Sequence, residues 1–128
     1  MILLDTYSFI GLVAQQNLLS KTAAKTITKN AGSIFVSAIS AYELALDYHK
    51  RLIELPLTPF DWFQKALELH GLIELPITGE IGVKAAQLPQ IHENLFDRML
   101  VSSAICHKMA LLTPNRFIKS YPDTMVIW

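Results

Sequence analysis

Four short stretches, far apart in the chain, each hand a run of apolar residues over to an acidic or amide side chain, and this pattern restricts the fold more than any other feature. Ile2-Leu3-Leu4 leads to Asp5, and Ile34-Phe35-Val36 leads on towards Glu43. A helix start at Phe96 carries Asp97, and Ala110-Leu111-Leu112-Thr113-Pro114 leads to Asn115. Short apolar runs without polar interruption read as strands buried on both faces, as in a parallel sheet covered by helices. In such a sheet the carboxyl ends of the strands lie along one edge, where ligand sites form. Asp5, Glu43, Asp97 and Asn115 are therefore expected to meet there. Clustered carboxylates disfavour one another's ionised form unless a cation offsets their charge, so the pattern asks for a divalent metal.

Between these stretches the chain alternates strands and helices with short connections and no repeats, which favours an α/β class. The pattern predicts strands at Ile2–Leu4, Ile34–Val36, Leu72–Glu74, Leu111–Leu112 and Met125–Ile127. It predicts helices over Ser8–Gln15, Ser20–Lys29, Ser40–Lys50, Phe60–His70, Gly79–Gln87 and Phe96–Lys108, with a short one from Asn115. Ser20, Thr78 and the pair Thr58-Pro59 are suitable helix starts. At 128 residues the chain forms one domain with room for a real core.

A hydrophobic content of 52% fits a sheet covered on both faces or a surface that meets a partner. The formal net charge is +0, which leaves no overall basic field to hold nucleic acid. Any such partner must be bound locally. Lys21, Lys25 and Lys29 align on one helix face, which reads as a solvated stripe ahead of a phosphate-binding one. No run reaches the ~18 apolar residues of a membrane span. The apolar opening Met1–Ala14 contains Asp5 and lacks a basic leader, so the cytoplasm is the expected compartment.

Several chemistries are disfavoured. No glycine belongs to a phosphate-cradling GxxxxGK[ST] or GxGxxG pattern. The 4 histidines lack a paired zinc spacing, and Cys106 has no partner cysteine. Each acidic candidate also has an ordinary local role. Ser40-Ala41-Tyr42-Glu43 matches a capping box, Asp97 suits the first turn of a helix, Asn115 suits a turn or cap, and Asp5 can cap the helix that follows it.

The chain resembles the PIN domains, and within them the small VapC-like toxin-type ribonucleases. The resemblance runs through Leu3-Leu4-Asp5-Thr6, Val36-Ser37-Ala38-Ile39-Ser40-Ala41-Tyr42-Glu43, Lys50-Arg51-Leu52-Ile53-Glu54-Leu55-Pro56 and Leu75-Pro76-Ile77-Thr78. It continues through Leu88-Pro89 with His92, Phe96-Asp97-Arg98-Met99-Leu100, Leu112-Thr113-Pro114-Asn115 and Val126-Ile127-Trp128. The order and spacing of these pieces carry it, over essentially the whole chain. The resemblance implies a central parallel sheet between helices, and an acidic pocket that binds Mg²⁺ or Mn²⁺ for hydrolysis of RNA. Carried over by position, Asp5 ligates the metal directly and Asp97 directly or through water, while Glu43 holds metal-bound water or helps activate the attacking one. Asn115 completes the site, and Thr6, Ser37 and Thr113 orient carboxylates or phosphate. Arg98 reads as an exposed ion pair or a phosphate contact. The implied partners are an RNA substrate, a cognate antitoxin and a second copy of the chain. Trp62, Phe60 and Phe63 read as core aromatics or as contributors to the antitoxin groove beside the Pro56 loop.

The chain departs from the family pattern where the family usually carries a further acid, which here is Asn115. Asn94 stands where an Asp followed by Pro is common, and Tyr7 replaces a common His. An amide brings a carbonyl oxygen but no negative charge. The competing reading is therefore a catalytically impaired PIN-like module that acts by binding RNA or protein.

Overall fold

A computed structural model describes all 128 residues. In chain order it comprises β1 (Ile2–Leu4), α1 (Thr6–Val13), a 3₁₀ turn at Gln16–Leu18, α2 (Lys21–Lys29), β2 (Ile34–Ser37), α3 (Ala38–His49) and α4 (Pro59–His70). There follow β3 (Ile73–Leu75), α5 (Gly79–Gln87), α6 (Leu95–His107), β4 (Ala110–Leu112), α7 (Arg116–Lys119) and β5 (Val126–Ile127). The strands form one sheet in the order β3-β2-β1-β4-β5, and every pairing is parallel. The order reverses between β1 and β4, the crevice where ligands collect in open α/β sheets.

Strand geometry sends successive side chains to opposite faces, and β1 shows the consequence. Ile2 and Leu4 pack into one core with Val36, Leu112, Phe9 of α1, Leu44 of α3, and Trp62 and Phe63 of α4. Leu3 packs into the other with Leu111, Leu100 and Val101 of α6, and Ile118 of α7. Phe9 is fully buried and meets Trp62 and Phe63 edge-on at 5.5 and 5.7 Å. Truncating such a residue to Ala costs about 3–5 kcal/mol. Trp62 and Phe63 are thus core residues, while Phe60 is exposed.

The expected caps at Ser20 and Thr78 accept from Ala23 N–H and Ile81 N–H, and Pro59 opens α4. α4 ends at Gly71, whose φ of +61° is the left-handed conformation glycine adopts without penalty.

Several boundaries differ from the sequence expectation. α1 starts at Thr6 rather than Ser8, because Asp5 is its cap. α3 starts at Ala38 rather than Ser40, because Ser37 caps it by accepting from Ile39 N–H at 3.0 Å. β3 lies one residue later than expected, and the Gln16–Leu18 turn falls where no element is expected. No helix is long and apolar enough to cross a membrane.

Candidate active site

At the carboxyl edge of the sheet, a pocket of about 310 Å³ is lined by Asp5, Thr6, Tyr7, Glu43, Asn94, Asp97, Leu100, Pro114 and Asn115. The four residues singled out from the sequence therefore meet in one place. They arrive on four elements: the end of β1, the middle of α3, the first turn of α6 and the turn after β4.

Asp5 is buried, and both carboxylate oxygens are occupied. Oδ1 accepts from Ser8 N–H at 2.7 Å, which makes Asp5 the cap of α1, and Oδ2 accepts from the Thr113 hydroxyl. Burial pushes the Asp5 carboxyl above its ordinary pKa; the bonds from Thr113 and Ser8 oppose this, and the charge of Asp97 adds to it. Ser8 Oγ donates to Leu112 O at 2.8 Å, fastening the start of α1 to β4.

Glu43 Oε1 accepts from Thr6 Oγ1 at 2.6 Å, and Thr6 Oγ1 lies 2.9 Å from Ser40 Oγ. A hydroxyl carries a single proton; with that proton given to the carboxylate, Thr6 receives its contact from Ser40. Ser40 is inside α3 and does not cap it, so the capping-box reading of Glu43 fails. Burial raises the Glu43 carboxyl above its usual range against the Thr6 bond, and Asp97, Asp47 and Asp5 raise it further.

Asp97 sits in the first turn of α6, and its N–H donates to the cap residue Asn94 at 3.0 Å. Its Oδ2 is met by His92 Nε2 and by Asn115 Nδ2, each at 3.0 Å. Asn115 spends its other amide atom as the cap of α7, with Oδ1 accepting from Phe117 N–H at 2.9 Å. Thr113 accepts from Asn115 N–H at 3.1 Å while donating to Asp5, so one hydroxyl links the two ends of the pocket.

Two expected residues stand elsewhere. Ser37 is fully buried as the α3 cap and makes no hydrogen bond to a pocket carboxylate. Arg98 is only 9% exposed and points into the protein, where it donates to Ala85 O, Leu88 O and Pro89 O at 2.8 to 2.9 Å. It is neither an exposed ion pair nor a phosphate contact; it pins the loop before α6. Sequence reasoning gives no role to His92 or Tyr121. The signals for His92 are its place beside Leu88-Pro89 in the resemblance and five positions before Asp97, and nothing local points to Tyr121.

The pocket offers hard oxygen donors, the set that suits Mg²⁺ or Mn²⁺. Glu43 Oε2 and Asp97 Oδ1 have no hydrogen-bond partner in the protein. No three carboxylate, imidazole or thiolate groups stand close enough to hold an ion by themselves. The donor set therefore fits an ion that keeps several of its waters, as Mg²⁺ does.

A model of the PIN domain family matches residues 2–123. Ribonuclease VapC22 of Mycobacterium tuberculosis is 28% identical over 130 residues, covering 99% of this chain and 98% of that protein. VapBC2 from Rickettsia felis, in a structure bound to a DNA fragment from its promoter, gives a TM-score of 0.71 at 18% identity, covering 98% of this chain and 97% of the other. FitAcB from Neisseria gonorrhoeae gives 0.68 at 21% identity, covering 98% and 96%. At such identities the structural likeness speaks for the fold, and the family model, which spans nearly the whole chain, settles the affiliation: this chain belongs to the PIN domain family.

Proposed function

We propose that this protein is a Mg²⁺- or Mn²⁺-dependent endoribonuclease and the toxin of a type II toxin–antitoxin pair. One observation carries the reading. Three carboxylates from separate elements, Asp5, Glu43 and Asp97, line one pocket, and two of them resist ionisation through burial and mutual repulsion. That arrangement is costly to keep without a cation. The relative named as a ribonuclease agrees with it, as do structural neighbours named as VapBC assemblies.

In this reading Asp5 and Asp97 hold the ion, and Asn115 and Thr113 keep them in place. When bound, the ion neutralises charge on the phosphate and makes water easier to deprotonate. Glu43, oriented by Thr6, takes the proton of the attacking water. The water oxygen bonds to phosphorus, the bond to the leaving nucleotide oxygen breaks, and that oxygen takes up a proton. The partner segment of an antitoxin fits the groove lined by Ile10, Leu44, Ile53, Leu55, Pro56 and Trp62, and a second copy of the chain completes the assembly. Work on RNA beside an antitoxin belongs in the cytoplasm.

A second reading is favoured by one specific observation. The amide oxygen of Asn115 is bound to α7, so three carboxylates remain for the chemistry, and an impaired module that binds RNA or protein follows if they do not suffice. The deciding experiment is cleavage of structured RNA in Mn²⁺, in Mg²⁺ and in chelator, with an Asp5→Asn control prepared in parallel. Metal-dependent cleavage that the control loses supports the nuclease. Equal cleavage by both proteins indicates a contaminant, and none by either, with antitoxin removed, supports the binding module.

A further inference from the structure

A chain of contacts runs from Arg98, buried in α6, through Tyr121 and His92 to Asp97. Arg98 Nη1 donates to the Tyr121 hydroxyl at 3.4 Å. That hydroxyl lies 2.9 Å from His92 Nδ1 and 3.3 Å from His92 O, and His92 Nε2 lies 3.0 Å from Asp97 Oδ2. The direction of the protons follows from the ends. Arginine has only donors, so Tyr121 accepts from Arg98 and keeps its own proton for Nδ1, the nearer of its acceptors. With Nδ1 accepting, the neutral imidazole carries its proton on Nε2, facing Asp97. Tyr121 is 3% exposed, and the Phe117 ring stacks on the imidazole at 5.3 Å and 16°. Both contacts favour this orientation of the ring.

Asn115 Nδ2 reaches the same Asp97 oxygen at 3.0 Å. Two donors from separate loops thus converge on Oδ2, and no protein group takes Oδ1. We infer that His92 is a positioning residue, set in its tautomer by Tyr121, which acts with Asn115 to hold Asp97 by Oδ2 and present Oδ1 alone to a divalent ion. The inference rests on the metal-dependent reading above. Presenting a single oxygen leaves room for the waters that a hard ion retains. Outer partners that orient a ligand in this way are worth about 10–100-fold in metal affinity.

The test is Mn²⁺ binding by calorimetry for the wild type, His92→Ala, His92→Gln and Tyr121→Phe, with melting in chelator and steady-state RNA cleavage measured alongside. His92→Ala is expected to weaken Mn²⁺ binding about tenfold or more and to lower kcat with the KM for RNA unchanged. His92→Gln keeps an N–H donor and recovers part of the affinity, and Tyr121→Phe gives an intermediate loss. A His92→Ala protein that melts lower yet binds Mn²⁺ as tightly as the wild type overturns the inference and leaves His92 a loop-packing residue. A wild type that binds no Mn²⁺ overturns the metal-dependent reading and this inference with it, so the wild-type arm separates the two failures.

Discussion

Thr6 and Glu43, 37 residues apart in sequence, share a hydrogen bond of 2.6 Å that ties the first turn of α1 to the middle of α3. The bond opposes the burial that raises the Glu43 carboxyl, so one hydroxyl both holds this residue in place and moderates its acidity.

Replacing Thr6 with Val keeps the shape of the side chain and removes the donor. We expect Thr6→Val to raise the Glu43 pKa further and to cost about 1–2 kcal/mol of stability at neutral pH. Carboxyl NMR titration and urea unfolding measure the two effects. An unmoved Glu43 titration would mean that the Thr6 hydroxyl does not govern the acidity of Glu43.

The metal-free protein should gain stability as pH falls from neutral towards the ordinary carboxylate range. The sign follows from Asp5 and Glu43, whose folded pKa values lie above their unfolded ones. Between the two values the folded state binds more protons than the unfolded state, so their contribution is present below the unfolded pKa and fades as pH rises through the folded one. Urea midpoints across pH in chelator test this. Saturating Mn²⁺, or Asp5→Asn, should flatten the slope.

Asn115→Asp replaces a donor with a second negative charge against Asp97 Oδ2, 3.0 Å away. In chelator the variant should melt lower, by about 1–3 kcal/mol. In Mn²⁺ it should bind the ion more tightly than the wild type does and recover its stability. An identical loss with and without metal would place Asn115 outside the ion's influence.

Arg98→Met should be among the most damaging changes away from the pocket. It removes the donor to Ala85 O, Leu88 O and Pro89 O; Ala85 O and Pro89 O keep the N–H groups of Leu88 and Ile91, whereas Leu88 O is left unpaired, at about 1–3 kcal/mol. Arg98→Lys should rescue little, since an ammonium lacks the planar fork that reaches several carbonyls at once. Thermal unfolding of both variants settles the point.

The sheet and the convergence at its edge are legible in the sequence because Ile2–Leu4 and Ala110–Leu112 are apolar without interruption and end beside polar residues. The start of α3 is not, since Ser37 and Ser40 are both acceptable caps. Their competition is decided by Thr6, 34 residues before Ser40, which takes the Ser40 hydroxyl for itself. Arg98 misleads for a similar reason: next to Asp97 it reads as half of an ion pair, whereas its partners are carbonyls 9 to 13 positions earlier. Long-range hydrogen bonds leave no periodicity behind, and His92 and Tyr121, 29 residues apart, are hidden from a linear reading on the same ground.

Asp5, Asn94 and Asn115 are the caps of α1, α6 and α7 as well as walls of the pocket. The side chains that start three helices are thus the ones that frame the chemistry. Helix termini and cavity wall therefore share one set of hydrogen bonds, so a substitution at Asp5, Asn94 or Asn115 disturbs both at once.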